Sequence, residues 1–169
     1  VRSVVKKVLD QYVLDPGGIH GVRHWARVLE NGRRLAEASG ASVKVVELFA
    51  VFHDACRRND WRDPEHGPRG AALARSLRGD VFDLDEAEFK DIVTACTFHT
   101  RGRCEGTATV RTCWDADRLD LGRVGVQPDP QRLCTEAART PVLLDWASNR
   151  GFEEWTAPWL ASEWGIHLE

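Results

Sequence analysis

Val43-Lys44-Val45-Val46-Glu47-Leu48-Phe49-Ala50-Val51-Phe52-His53-Asp54 is the stretch on which the fold turns. Ser42 offers an N-cap just ahead of it, and Glu47 sits early in the helix. Val45, Val46, Leu48, Phe49, Ala50, Val51 and Phe52 leave almost no polar face, and a helix of that kind belongs in the centre of a domain. Towards the N-terminus, a longer helix is expected from about Ile19 to Ser39, closed by Gly40 as a left-handed terminator. Before it, Val4, Val5, Val8, Leu9 and Tyr12 mark a first helix, stopped by the turn signal Asp15-Pro16-Gly17-Gly18. Towards the C-terminus, Arg57 to Pro68 is polar and loop-like. Helical patterns resume at about His66–Leu77, Leu84–His99 and Thr107–Leu121. After a Pro/Gly-bearing stretch from Gly122 to Pro130, shorter helices are expected at about Pro130–Arg139, Pro141–Asn149 and Phe152–Ser162. Strand-type alternation is scarce, so the fold class is all-α. Residues 1–169 read as one domain, with helices over about 130–165 packing on a core spanning about 19–121.

The 169 residues carry 23 basic and 26 acidic side chains, a net charge of −3. That balance argues against a general binder of long nucleic acid, which needs a basic excess. At 43% hydrophobic and 29% charged the chain is globular rather than disordered. No apolar run approaches the roughly 18 residues that a membrane span requires. Cys56, Cys96, Cys104, Cys113 and Cys134 are odd in number and contain no C-x-x-C pair. Unpaired, buried or half-buried thiols in a reducing cytoplasm are therefore expected.

The chemistry lies in which helix faces carry a polar residue. His24 shares a face with Val28 and Leu35, and His53 with Val46, Phe49 and Ala50. His99 follows Ile92 and Cys96 at spacings of seven and three, while Asp117 lies between Val110, Trp114 and Leu121. Four helices thus each aim one ligand-type side chain at the core. Asp54, next to His53 on the most apolar helix, is poorly solvated too. Burying an unpaired carboxylate costs several kcal/mol, and a divalent metal is the economical common partner for imidazoles and acids. The ligands read in this way are His24, His53, Asp54 and Asp117. Asp115 is about 200° around the helix from Asp117, and reads as a hydrogen-bond acceptor behind the ligands or as a solvated acid. Phe152, Trp155 and Trp159 share a helical spacing that suits core packing or the seam of a homodimer.

His24-Trp25-Ala26-Arg27-Val28, His53-Asp54, His99-Thr100 and Asp115-Ala116-Asp117-Arg118-Leu119-Asp120, in that order, resemble the HD-domain superfamily of metal-dependent phosphohydrolases. The resemblance runs from about His20 to Asp120. It implies a helical core whose metal, one of Mn, Fe, Ni, Co or Zn, is held by His24, His53, Asp54 and Asp117. Relatives with additional histidines hold two ions, and His66 and His99 are the residues to serve a second site. The implied activity is hydrolysis of a small phosphorylated substrate, most plausibly a nucleotide. Asp54 would orient the attacking water, and His66 or His99 would protonate the leaving oxygen. Arg57 and Arg58 after the His-Asp pair, Arg118 in the closing motif, and His20 are expected to touch the substrate, since guanidinium forks match phosphate oxygens. Some relatives place a catalytic Glu after the His-Asp pair, where this chain has Ala55, Cys56, Arg57 and Arg58. A nucleotide-sensing or partner-binding module with weak turnover is the alternative reading.

Overall fold

In the computed structural model, which describes residues 1–168, the apolar stretch forms α3 (Val43–Phe52), capped by Ser42, whose Oγ accepts from the Val45 N–H. Every residue from Val45 to Phe52 except Glu47 is buried. Ahead of it stand α1 (Arg2–Leu9) and α2 (Val22–Ser39). After it come α4 (His66–Leu77), α5 (Glu86–Phe98) and α6 (Ala108–Arg118), then α7 (Pro141–Phe152). α3 packs against α1, α2, α4, α5 and α6, and is thus the hub that its composition requires. Among the described residues there is no strand, only one isolated bridge between Arg78 and Phe82. The chain is all-helical. Among the described residues, no helix is long and apolar enough to cross a membrane.

Local chemistry sets the boundaries. Asp85 caps α5 and Thr107 caps α6, each accepting a backbone N–H of the first turn. α2 ends at Gly40, whose φ of 69° is left-handed as its position suggests. α2 begins at Val22 rather than Ile19, which leaves His20 in the preceding turn.

The C-terminal third departs from the expected helices. Residues 130–139 form two 3-10 turns, Pro130–Arg132 and Ala137–Arg139, instead of one helix. No helix spans Phe152–Ser162: α7 ends at Phe152, Glu154 takes φ 50°, and a short π-turn covers Leu160–Trp164. Pro158 explains the break, because it lacks the N–H that a continuing helix needs. Phe152, Trp155 and Trp159 therefore form no stripe. Arg150 stacks 3.6 Å over Trp155, and Trp159 donates its indole N–H to Glu30.

The cysteine expectation is also corrected. Cys104 and Cys134 form a disulfide that ties the α5–α6 loop to the segment after α6, leaving Cys56, Cys96 and Cys113 as thiols. With a disulfide present, cysteine usage gives no argument for a reducing compartment.

One close approach fixes the position of α4. A Cβ on Gly70 would lie 2.2 Å from the Phe52 carbonyl oxygen, and one on Gly67 would lie 2.4 Å from that of Cys96. α4 is thereby pressed against the ends of both α3 and α5, which carries His66 to His99 and Asp54. Gly70→Ala is expected to cost about 1–3 kcal/mol, because the opposing atom is backbone and cannot swing aside. Denaturant midpoints of the variant and parent measure it.

Candidate metal centre

His53 and Asp54 emerge at the end of the central helix, fully buried. Around them the fold gathers His24 from α2, His66 from the start of α4, His99 just past α5, and Asp117 from α6. Their ligand atoms form two groups: His24, His53 and Asp117 in one, Asp54, His66 and His99 in the other. His66 and His99, expected as proton donors or as residues of a second site, fall together with Asp54 in the second group.

The hydrogen bonds at the rear of each ring decide what the fronts present. His24 donates Nδ1–H to Asp120 Oδ2 at 2.7 Å, and His53 donates Nδ1–H to the carbonyls of Phe49 and Ala50. His66 and His99 donate in the same way to the carbonyls of Asp63 and Cys96. Each neutral ring then has a bare Nε2. These bare nitrogens face each other, 2.9 Å apart for His24 and His53 and 2.8 Å for His66 and His99. Two lone pairs at that distance repel unless a cation or a proton lies between them. Nitrogens bonded at about 2.0–2.1 Å to one metal ion are spaced in this way.

The acids complete both groups. Asp54 Oδ2 lies 3.7 and 3.8 Å from the Nε2 atoms of His24 and His53. Its Oδ1 lies 3.1 and 3.7 Å from those of His66 and His99. One carboxylate therefore spans both groups. Asp117 Oδ1 is buried with no hydrogen-bond partner, 3.5 Å from His24 Nε2 and 3.7 Å from His53 Nε2. An orphaned carboxylate oxygen beside two bare imidazole nitrogens is a donor set that fits a divalent cation.

Electrostatics prepare the same state. Burial lowers the His53 pKa to about 4 and holds His24 well below its ordinary range, with the Arg123 charge adding to the latter. Burial pushes Asp54 and Asp117 upward, but neighbouring groups together outweigh it: His53, the hydrogen bond from His20 and the nearby His66 and His99 at Asp54, and His53 with the Arg123 charge at Asp117. Both stay ionised. Neutral imidazoles beside ionised carboxylates are the protonation state that a metal requires. His99 departs from this pattern: burial lowers it, yet the nearby Asp54 and Asp117 carboxylates prevail and raise its pKa.

A cavity of about 600 Å³ opens beside the centre, with Asp54, His99, Asp117, Arg57, Arg123 and the apolar Leu121, Val126 and Leu133 among its lining residues. Several expected substrate contacts have other work. His20 donates Nδ1–H to Asp54 Oδ2 at 2.7 Å, and Arg57 donates Nε–H to Asp54 Oδ1 at 2.9 Å. Both orient the spanning carboxylate, although Arg57 also lines the cavity. Arg58 is exposed and is not part of the cavity wall; only its backbone N–H is engaged, with Asp63. Arg118 lines the cavity, but its guanidinium is spent on the carbonyls of Gly102, Arg103 and Arg132. Asp115 is buried and accepts from Cys134 and Thr135, anchoring that loop rather than facing solvent.

Two residues were missed. Asp120 supports His24 and also accepts from Arg27 Nε at 2.6 Å. Its place three residues after Asp117, on the same helical face, was a legible signal. Arg123 brings a cation to 3.7 Å from Asp117 Oδ1. It does so through a 3-10 turn after α6, which helical spacing does not reveal.

Neither a family model nor a solved structure matches the chain. It is 25% identical over 150 residues, 77% of each chain, to a Bacillus subtilis (strain 168) protein named symmetrical bis(5'-nucleosyl)-tetraphosphatase.

Two predictions come from this geometry. Asp120→Asn is expected to weaken metal affinity by about 10–100-fold, the usual effect of losing the carboxylate behind a ligating imidazole; competition with a chelator of known affinity measures it. The second concerns pH. The His53 pKa falls from 6.5 to about 4 in the fold. Between those values the unfolded chain binds a proton that the folded one refuses, so acidification favours unfolding. The chelated protein is expected to lose stability as pH falls through this window, with a shallower slope in His53→Gln. His99 acts oppositely, since its stabilising proton is fully present below pH 6.5 and is lost as pH rises through its raised pKa. Denaturant midpoints across pH 4–8, compared with His99→Gln, separate the two.

Proposed function

We propose that this chain is a metal-dependent phosphohydrolase of the HD-domain type that cleaves a phosphoanhydride in a nucleotide. The observation that carries this reading is the pair of facing imidazole couples spanned by Asp54. His24, His53 and Asp117 would hold one divalent ion and His66 and His99 another, with Asp54 shared. When bound, such ions lower the pKa of a coordinated water and polarise a phosphoryl oxygen.

The remaining work falls to side chains already in place. His20 and Arg57 hold Asp54 from opposite oxygens, so the carboxylate cannot rotate out of its spanning position. Arg123 is anchored by the carbonyls of Ile19 and Asp120 and keeps Nη2 beside Asp117 on the cavity wall, where it would face the charge that develops on a transferred phosphoryl group. Leu121, Val126 and Leu133 give the cavity an apolar wall suited to a nucleobase.

The leaving group follows from what is missing. Both nitrogens of His66 and of His99 are committed, one to a backbone carbonyl and one to the donor group. Neither imidazole is available to protonate a leaving oxygen. A nucleotide or phosphate leaving from an anhydride needs no such proton near neutral pH, whereas an alkoxide does. The name of the Bacillus subtilis relative, a bis(5'-nucleosyl)-tetraphosphatase, supports the same class of bond. A second reading, a nucleotide sensor, draws on the absence of an acid over Ala55–Arg58.

Elemental analysis of protein purified without added metal, followed by assays with Mn, Fe, Co, Ni and Zn, tests the proposal. Dinucleoside polyphosphates, nucleoside mono-, di- and triphosphates and an aryl phosphate form the substrate panel. Anhydrides are expected to be cleaved, and the nucleoside monophosphate, included because its leaving group is an alkoxide, to be poor. His53→Ala is expected to lose metal and at least about a hundredfold in kcat together. Tight nucleotide binding without product would favour the sensor, and absence of bound metal would remove both readings.

A further inference from the structure

Beside the metal cavity lies a second one of about 440 Å³, lined by Thr100, Arg101, Gly102, Arg103, Cys104, Arg118, Gln131 and Arg132. Thr100, Arg118 and Arg132 line both, so the two adjoin. Its wall contains four arginines and no acid, in a chain whose net charge is −3. Little on the protein answers that charge. The Arg103 guanidinium has no ion-pair or hydrogen-bond partner among the described residues. Arg132 has only a 3.8 Å approach to Asp129, and Arg101 donates to the Pro64 carbonyl at 3.2 Å and approaches the exposed Glu65 at 3.7 Å. Glu105 is turned back onto the N–H groups of Arg103 and Cys104.

The cavity is also built rather than incidental. The disulfide of Cys104 and Cys134 joins its two loops, and Arg118 fastens the same loops through the carbonyls of Gly102, Arg103 and Arg132. Arg101, Arg103 and Arg132, carried on fastened loops around one concavity, match a chain of phosphate oxygens. Its volume lies within the roughly 300–1,000 Å³ of ligand sites.

We propose that this cavity is a polyphosphate subsite, receiving the phosphates beyond the bond that the metal centre cleaves. The assignment rests on the phosphohydrolase reading for its link to turnover, but anion binding tests it independently. The substrate class then narrows to nucleotides with a long bridging polyphosphate, since a monophosphate at the metals leaves the arginine cavity unfilled.

The probes are inorganic tripolyphosphate and orthophosphate, titrated calorimetrically into the metal-loaded protein. The variant is the double charge reversal Arg101→Glu/Arg103→Glu, whose residues line only the second cavity. A matched reversal at the remote, exposed Arg75 and Lys90 controls for net charge. Tripolyphosphate is expected to bind the parent more tightly than orthophosphate, and to lose about tenfold or more in the variant. Orthophosphate affinity and the control protein stay unchanged. Unaltered tripolyphosphate affinity in the variant, or an equal loss in the control, overturns the subsite. If the parent cleaves no nucleotide but the variant loses tripolyphosphate, the subsite stands and the hydrolase reading falls. If nucleotides are cleaved and both proteins bind tripolyphosphate equally, the subsite falls alone.

Discussion

The constraint on which the rest of the structure depends is electrostatic: an ionised carboxylate, Asp54, stands at the end of the most apolar helix and must be compensated there. The compensation comes from every side. His20 and Arg57 take one oxygen each, and four imidazoles surround them. Because those residues come from the turn before α2, from α2, α3, α4 and the end of α5, meeting the demand requires the bundle to assemble as a whole. A site built from helices that would otherwise expose their apolar faces is therefore coupled to folding. An ion bound there adds its binding energy to the stability of the fold.

The rear hydrogen bonds of the histidines turn that shell into a directional one. Backbone carbonyls at helix ends hold three of the rings: Phe49 and Ala50 at the end of α3, Asp63 ahead of α4, and Cys96 in the last turn of α5. Carbonyls near a helix end have acceptor capacity to spare, as at Ala50 and Cys96. The same termini that end the helices thus orient the ligands, and only His24 needs a dedicated carboxylate, Asp120. Helix ends converging on one point are the structural reason that such a centre suits an all-helical chain.

Sequence reasoning reached the central helix, its cap, the bounds of α4 and the inward-facing His24, His53, Asp54, His99 and Asp117, because helical periodicity encodes which face is buried. It failed where position is set by something other than that period. His20 lies in a turn, and Arg123 enters through a 3-10 segment. Arg118 has a suitable charge, but loop carbonyls that no spacing rule reveals consume it. Trp155 and Trp159 kept a helical spacing across Pro158, and backbone chemistry overrode the pattern. The Cys104–Cys134 pairing depends on two loops meeting across thirty residues, which is a tertiary fact.

That pairing does not act alone. Arg118 bridges the two loops that the disulfide joins, donating to carbonyls on both sides of the seam, so covalent and non-covalent fasteners run in parallel. A chain that lost the sulfur bond would still have the guanidinium reaching across the same two loops, through the carbonyls of Gly102, Arg103 and Arg132.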